Sequence, residues 1–322
     1  MRTSHAAKVS PHSEVCVFRE GDVRPSAVVG RVVHRLQPLR RRWREATAPF
    51  RVLPDFVIVG AQKAGTTSLY AYLRAHRQVL PAAAKEVHFF DTCAWDAGPD
   101  AYRANFPLRA HMWLAHRLRR ARVITGEATP YYLYHPLAAE RLSVTAPNTK
   151  IVILLRDPVE RTLSHYWHEV RGKRETLSVR EALEAEEDRL RGRSEALAAG
   201  APPCEHLEHR NFSYRARSRY SPQVARYLDL FPPEQILVLQ SEKLFGDDPQ
   251  AKARLAQFLD LPPLTRPFVA ENVGTSRPKA STETDVRQLL AREMADDQQA
   301  LRALLGEDLR WEDRTTAGTP RS

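Results

Sequence analysis

An α/β chain with a central, mainly parallel sheet flanked by helices is predicted by three observations. Residues 56–59, 151–155 and 236–239 are short apolar runs that read as strands buried on both faces. Amphipathic segments separate them. The first run passes through a glycine-bracketed loop, residues 60–65, directly into a helix. At 322 residues the chain can bury one substantial core with insertions.

The loop organises the rest. Gly60 and Gly65 allow a tight turn and a close backbone approach. Thr66, Thr67 and Ser68 stand where they can cap the next helix, and Leu69 and Leu73 give it an inward face. Strand, glycine loop and helix N-terminus together cradle a phosphate, because backbone N–H groups and the positive helix end point at the anion. Lys63 adds a full charge inside the loop. The nucleotide motif G-x-x-x-x-G-K-[ST] fits only in part: Thr66 stands where its lysine belongs. That argues against magnesium-dependent ATP hydrolysis. An ordinary strand–turn–helix with a surface lysine is the bland alternative.

Forty-nine basic and 39 acidic residues leave a net charge of +10. The excess is spread along the chain and suits an anionic nucleotide as well as a polyanion. Cys16, Cys93 and Cys204 make no metal spacing and no disulfide framework, so a reducing, cytoplasmic location is expected. No stretch has the length of a transmembrane helix, and the N-terminus lacks the apolar region of a signal peptide. Residues 1–50 read as a basic, partly disordered extension, 51–311 as the catalytic domain and 312–322 as a flexible tail. Arg40, Arg41, Arg42 and Arg44 surround Trp43. A nucleic-acid or anionic-membrane tail is one reading of that knot; a solvated extension is preferred, because the run is short.

Lys85, Glu86 and His88 fall within four residues, beside Phe89 and Phe90. Desolvation by the rings raises a carboxylate pKa and a nearby lysine lowers it, so Glu86 can act as a general base. It can equally be a surface ion pair with Lys85. Tyr102 and Phe106 read as a short helix packing two aromatics. Residues 123–124 read as a short strand that runs into Gly126 and Glu127, placing Glu127 at a strand end, where an α/β sheet usually places its site. Pro158 suits a first helical turn, and Ser164 and His168 lie one turn apart on that helix. Residues 178–199 read as one charged helix with Val179, Leu183 and Leu190 inward. Residues 200–217 read as a substrate-facing loop; Cys204, His206 and His209 lack the spacing of a metal site. Ser221 can cap, and Pro222 open, a helix with Val224, Tyr227, Leu228 and Phe231 inward. Residues 249–259 form another helix. Residues 284–305 close the domain, with Leu289, Leu290, Leu301 and Leu304 inward.

Four of these stretches, in order, resemble the sulfotransferases that use 3′-phosphoadenosine 5′-phosphosulfate (PAPS), in particular the carbohydrate branch with the heparan sulfate enzymes. The resemblance spans residues 53–311 and implies the P-loop-like sulfotransferase fold. It implies that Gln62, Lys63, Ala64, Gly65, Thr66, Thr67 and Ser68 bind the 5′-phosphosulfate. Arg156 and Ser164 match the residues that hold the 3′-phosphate. Glu86 matches the catalytic glutamate, with His88 beside it. His168 matches an acceptor-side histidine. Arg217, Arg219 and Tyr220 resemble a segment near the nucleotide, and Arg277 lies where relatives close the site. Ala128 replaces a lysine of many heparan-type members. The implied reaction moves a sulfuryl group from PAPS to an acceptor hydroxyl, a saccharide among the candidates, leaving 3′,5′-adenosine bisphosphate (PAP). No metal and no nucleic acid are required. The lack of a membrane anchor makes the chain similar to a soluble, bacterial-type relative. A P-loop kinase or NTPase, and a non-enzymatic polyanion-binding protein, are the alternatives.

Overall fold

The computed structural model describes residues 38–202, 206–268 and 284–306, with Leu309 and Trp311. The elements that matter here, in chain order, are β1 (Phe56–Gly60), α1 (Thr66–Arg74), β2 (Val79–Pro81), α2 (Arg109–Arg119), β3 (Ile124–Ala128) and β4 (Lys150–Leu155). They continue with α3 (Pro158–Arg171), α4 (Ser221–Leu228), β5 (Ile236–Gln240), α5 (Pro249–Phe258) and α6 (Thr284–Leu305).

The five strands run parallel in the order β2-β3-β1-β4-β5. β1 is the centre because both its faces are covered: Phe56, Val57, Ile58 and Val59 are fully buried. Burial of each such side chain contributes roughly 1.5–3 kcal/mol. Phe56 aligns with Gly126 of β3 on one side and Lys150 of β4 on the other. After β1 the chain builds β2 and β3 on one side, then β4 and β5 on the other. The reversal opens a crevice at the carboxyl end of β1, where doubly wound sheets place their ligands.

Several expectations change in three dimensions. β3 runs on past residues 123–124 through Gly126, Glu127 and Ala128; Glu127 stands near its carboxyl end, as expected, and is fully buried there. Residues 178–199 form three short helices, Val179–Glu184, Glu186–Leu190 and Arg193–Ala198. Glu186 turns inward to accept from the backbone N–H groups of Arg215 and Ala216, both at 2.8 Å, and left-handed Gly192 breaks the run again. The segment read as a loop holds a helix, Leu207–Asn211, and a 3₁₀ turn, Ala216–Ser218. Ser221 caps nothing. Asp297 of α6 accepts from the N–H of Tyr220 (2.7 Å) and from the Ser221 hydroxyl (2.5 Å) instead. On α6 the helical period turns Val286, Leu290, Met294 and Leu301 inward, while Leu289 and Leu304 face solvent.

Residues 38–46 are helical. Arg44 Nε donates to the Ala104 carbonyl at 2.7 Å, and buried Arg51 donates to that of Phe106 at 2.7 Å. Arg44 ties this helix to the segment that leads into α2, and Arg51, just beyond the helix, ties the following stretch to it as well.

Candidate active site

The glycine loop is held from behind. The Ala61 N–H donates to the Leu154 carbonyl (2.7 Å), Ser241 Oγ donates to the Ala64 carbonyl (2.7 Å), and Arg156 Nη1 donates to the Lys63 carbonyl (3.2 Å). Gly65, at φ 93°, occupies the N-cap of α1, and no side chain caps that helix. Thr66, Thr67 and Ser68 therefore do not act as caps. A Cβ at Gly65 would lie 2.4 Å from the Phe245 ring, and one at Gly60 2.5 Å from Leu133 Cβ. The close approaches that the glycines permit are thus to the protein's own side chains. With the carbonyls tied back, the first N–H groups of α1 remain as an anion cradle.

The cradle is rich in cations. Burial, with Arg171, Arg156 and Arg161 nearby, lowers the Lys63 ammonium to about 8, against a smaller opposing effect of Glu169. Positive groups crowded this closely repel one another, and a bound anion would relieve that repulsion. Gln62 Oε1 accepts from Arg217, which is buried with its guanidinium 4.5 Å from the Tyr131 ring. Tyr220 is fully buried and donates to the Arg156 carbonyl at 2.9 Å. Arg219, by contrast, is exposed, so of the two neighbouring arginines it is Arg217 that reaches the loop. The R-x-R spacing at 217–219 offered both, and burial chose between them. Arg156 also approaches Glu160 at 3.6 Å; Glu160, Ser164 and His168 follow at helical spacing along α3. Arg277 lies outside the described residues.

Next to the cradle stands Glu86. Lys85 Nζ donates both to Thr67 Oγ1 (2.6 Å) and to Glu86 Oε1 (2.8 Å). The other Glu86 oxygen meets His88 Nε2 at 3.2 Å, and His88 Nδ1 meets buried Asp91 at 2.6 Å. Burial alone would raise the Glu86 pKa, as the neighbouring rings suggested. His88 and Lys85 outweigh it, and the carboxylate is held below its ordinary range. Burial would likewise lower His88, but Asp91 and Glu86 raise it to about 10, so the imidazole carries its proton at neutral pH. Phe89 and Phe90 are buried beneath, in an aromatic cluster with Tyr102 and Tyr132. His168 is lowered to about 4 by burial, Lys63, Arg174 and Arg171, with Glu86 acting in the opposite sense. It is neutral in the working range and lies within the electrostatic reach of both Lys63 and Glu86.

Glu127 belongs to the support. Its carboxylate accepts from the Tyr102 hydroxyl (2.9 Å), the Thr129 hydroxyl (2.6 Å) and the Val87 N–H (3.2 Å), which anchors the Glu86 loop to β3. Burial raises its pKa to about 7 despite those donors. An unfolded glutamate titrates near ~4.3. Between these values the folded state keeps a proton that the unfolded state has lost. This group's contribution to stability therefore falls as pH rises through that window, by at most about 1.4 kcal/mol per pH unit. Denaturant titrations at about pH 5 and about pH 7 should show a smaller difference for Glu127→Gln than for the parent. An equal difference in the two proteins would remove Glu127 as its source.

Of the residues once weighed as metal ligands, His209 has both ring nitrogens engaged, with Tyr131 (2.7 Å) and Ser194 (2.9 Å). Cys204 lies outside the described residues. Among the described residues no helix is long and apolar enough to cross a membrane.

The Sulfotransferase domain family model matches residues 53–273, more than half of the chain. The chain belongs to the sulfotransferase family. A sulfotransferase structure from Alicyclobacillus acidocaldarius superposes with a TM-score of 0.55 at 33% identity, covering 80% of this chain and 98% of that one. Heparan sulfate glucosamine 3-O-sulfotransferase 5 of Homo sapiens is 28% identical over 214 residues, 66% of this chain and 54% of that protein. Membrane-associated sulfotransferase kil1 of Dictyostelium discoideum is 38% identical over 114 residues, 35% of this chain and 22% of that protein. The chain thus spans from about a fifth to about half of the length of these two curated relatives. Sulfotransferase membership agrees with the displaced loop lysine, which had already separated this chain from the ATP-hydrolysing P-loop proteins.

Proposed function

We propose that this chain transfers a sulfuryl group from PAPS to an acceptor hydroxyl, with Glu86 as the base. The observation that carries the proposal is the Lys85 ammonium. It bonds both the Thr67 hydroxyl of the donor cradle and the Glu86 carboxylate, so base and cradle are one side chain apart.

The donor is a substrate with negative charge at both ends of its ribose. The cradle N–H groups and Lys63 suit its 5′ end, and Arg156 with Ser164 suits the 3′-phosphate. Arg217 is a better candidate than Arg219 for positioning the loop, through Gln62. In the transfer the acceptor oxygen forms a bond to sulfur as the bond from sulfur to the 5′-phosphate oxygen breaks. Glu86 takes the acceptor proton, and PAP leaves with the electron pair. Lys63 and the N–H groups of α1 stabilise the charge that grows on the leaving oxygen. His88, held by Asp91, aims Glu86 and keeps it ionised. An acceptor with acidic groups suits the basic surroundings of Glu86, where Arg210 Nη2 lies 3.3 Å from His88. The heparan sulfate relatives favour a saccharide.

Arg156→Ala and Ser164→Ala should each weaken PAP more than adenosine 5′-phosphosulfate, which lacks the 3′-phosphate. Charge-assisted bonds of this kind contribute about 1.5–3 kcal/mol each. Titration calorimetry with both nucleotides decides, and an equal loss for the two overturns the 3′-phosphate assignment. For the proposal as a whole, PAP should raise the melting temperature where ATP with magnesium does not. Transfer from labelled PAPS to a panel of saccharides would then identify the acceptor.

A further inference from the structure

Helix α2 is amphipathic the wrong way round for a soluble surface. Its inward face is narrow, with Met112 and Ala115 packed on Leu80 of β2 and on Val123. The solvent arc carries Trp113, Leu114 and Leu118, the first 61% and the last 75% exposed. These residues fall together on a helical wheel, with Ala110 and Arg117 between them. Arg117 lies over the Trp113 ring at 5.3 Å. From residue 108 to 123 there is no acidic side chain and there are five arginines: Arg109, Arg117, Arg119, Arg120 and Arg122. Arg119 and Arg122 are tied to the Arg77 carbonyl and to Asp260. Arg109, Arg117 and Arg120 are exposed around the apolar arc.

The helix at residues 38–46 repeats the pattern. Leu39 and Trp43, one turn apart, are exposed, Trp43 by 53%. Arg40, Arg41 and Arg42 surround them, and the only acidic residue of that helix, Glu45, pairs with Arg41 at 2.7 Å. The two helices share an edge of the molecule. Arg44 bonds the carbonyls of Ala104 and Phe106, and Arg51 bridges to Leu108, the residue before α2.

We propose that this edge docks on an anionic phospholipid surface, with the side chains of α2 and of residues 38–46 as its two contacts. Charge complementarity selects the occupant. Arginines alone would suit any polyanion, but exposed tryptophan and leucine set among them suit a headgroup layer, where the rings and apolar chains insert while the guanidiniums meet phosphates. A polysaccharide or nucleic acid offers no apolar layer for Leu114 and Leu118.

The test is co-sedimentation of the full chain with vesicles of phosphatidylcholine alone and of phosphatidylcholine mixed with phosphatidylglycerol. Binding is expected only to the mixed vesicles, and it should weaken as salt rises. Arg117→Gln and Arg120→Gln should each weaken it roughly fivefold. Trp113→Ser with Leu118→Ser should weaken it roughly tenfold or more, while heparin–agarose retention stays unchanged. Both positions are exposed, so an unchanged melting temperature confirms that this variant folds. The proposal is overturned if neither vesicle retains the parent chain. It is equally overturned if the Trp113/Leu118 variant binds vesicles as the parent does, which would make the edge a general polyanion surface.

Discussion

Glu86→Gln is expected to bind PAP as the parent chain does and to lose about 10²–10⁴ in kcat, the usual contribution of a positioned base. Glutamine keeps the size of the side chain and can still accept from Lys85, so the bridge to Thr67 persists. It cannot take the acceptor proton. Because His88 and Lys85 hold Glu86 below the ordinary carboxylate range, the parent enzyme should lose kcat/KM only at pH values below that range. The residual rate of Glu86→Gln should lack this acid limb. His88→Ala should cost less, through lost aim and a Glu86 limb moved upward. His168→Ala should chiefly raise the acceptor KM. Full turnover in Glu86→Gln, with loss in either histidine variant, would move the base to a histidine.

Lys63→Ala is expected to lower kcat by about 10²–10³, with a smaller effect on PAP affinity. The lysine meets charge that develops only as the phosphate oxygen leaves, whereas backbone N–H groups carry much of the ground-state binding. The crowding that lowers Lys63 to about 8 adds a pH signature. The ammonium is the working form, so kcat/KM for the donor should fall as pH rises through about 8. Arg171→Gln should move that limb upward, because it removes the cation that repels Lys63 most strongly. A raised donor KM at unchanged kcat would reduce Lys63 to a binding residue. An alkaline limb that survives Lys63→Ala would assign it to another group.

Much of the fold was legible because it rests on local signals. Uninterrupted apolar runs at 56–59, 151–155 and 236–239 read as buried strands, and all three are strands, Ile236 alone among them being partly exposed. Pro158 and Pro249 open their helices as expected. Readings failed where a distant residue overrode a local one. Ser221 looked like a cap, but Asp297 performs that role from 76 residues away. Glu127 stands at a strand end as expected, but its complete burial there was not foreseen; Tyr102, Thr129 and Val87 satisfy its carboxylate. The charged run at 178–199 looked like one helix until Glu186 turned inward to Arg215 and Ala216.

The candidate site divides in the same way. By itself the sequence determined which residues are chemically able to serve: a loop that only glycine permits, a lysine within it, a carboxylate beside a lysine and a histidine. Those properties belong to residue types and spacings of a few positions. Only the tertiary structure decided their electrostatics. Glu86 was expected to be desolvated by its rings, and burial does push in that direction. The outcome turned on whether Lys85 and His88 reach both of its oxygens, and that depends on Asp91 and Thr67 holding those cations in place. Likewise Arg217 and Arg219 are equivalent in the sequence, and packing buries one against Gln62 and leaves the other in water. Hydrogen bonds and charge–charge energies change over a few ångströms, a scale that residue spacing along the chain does not set.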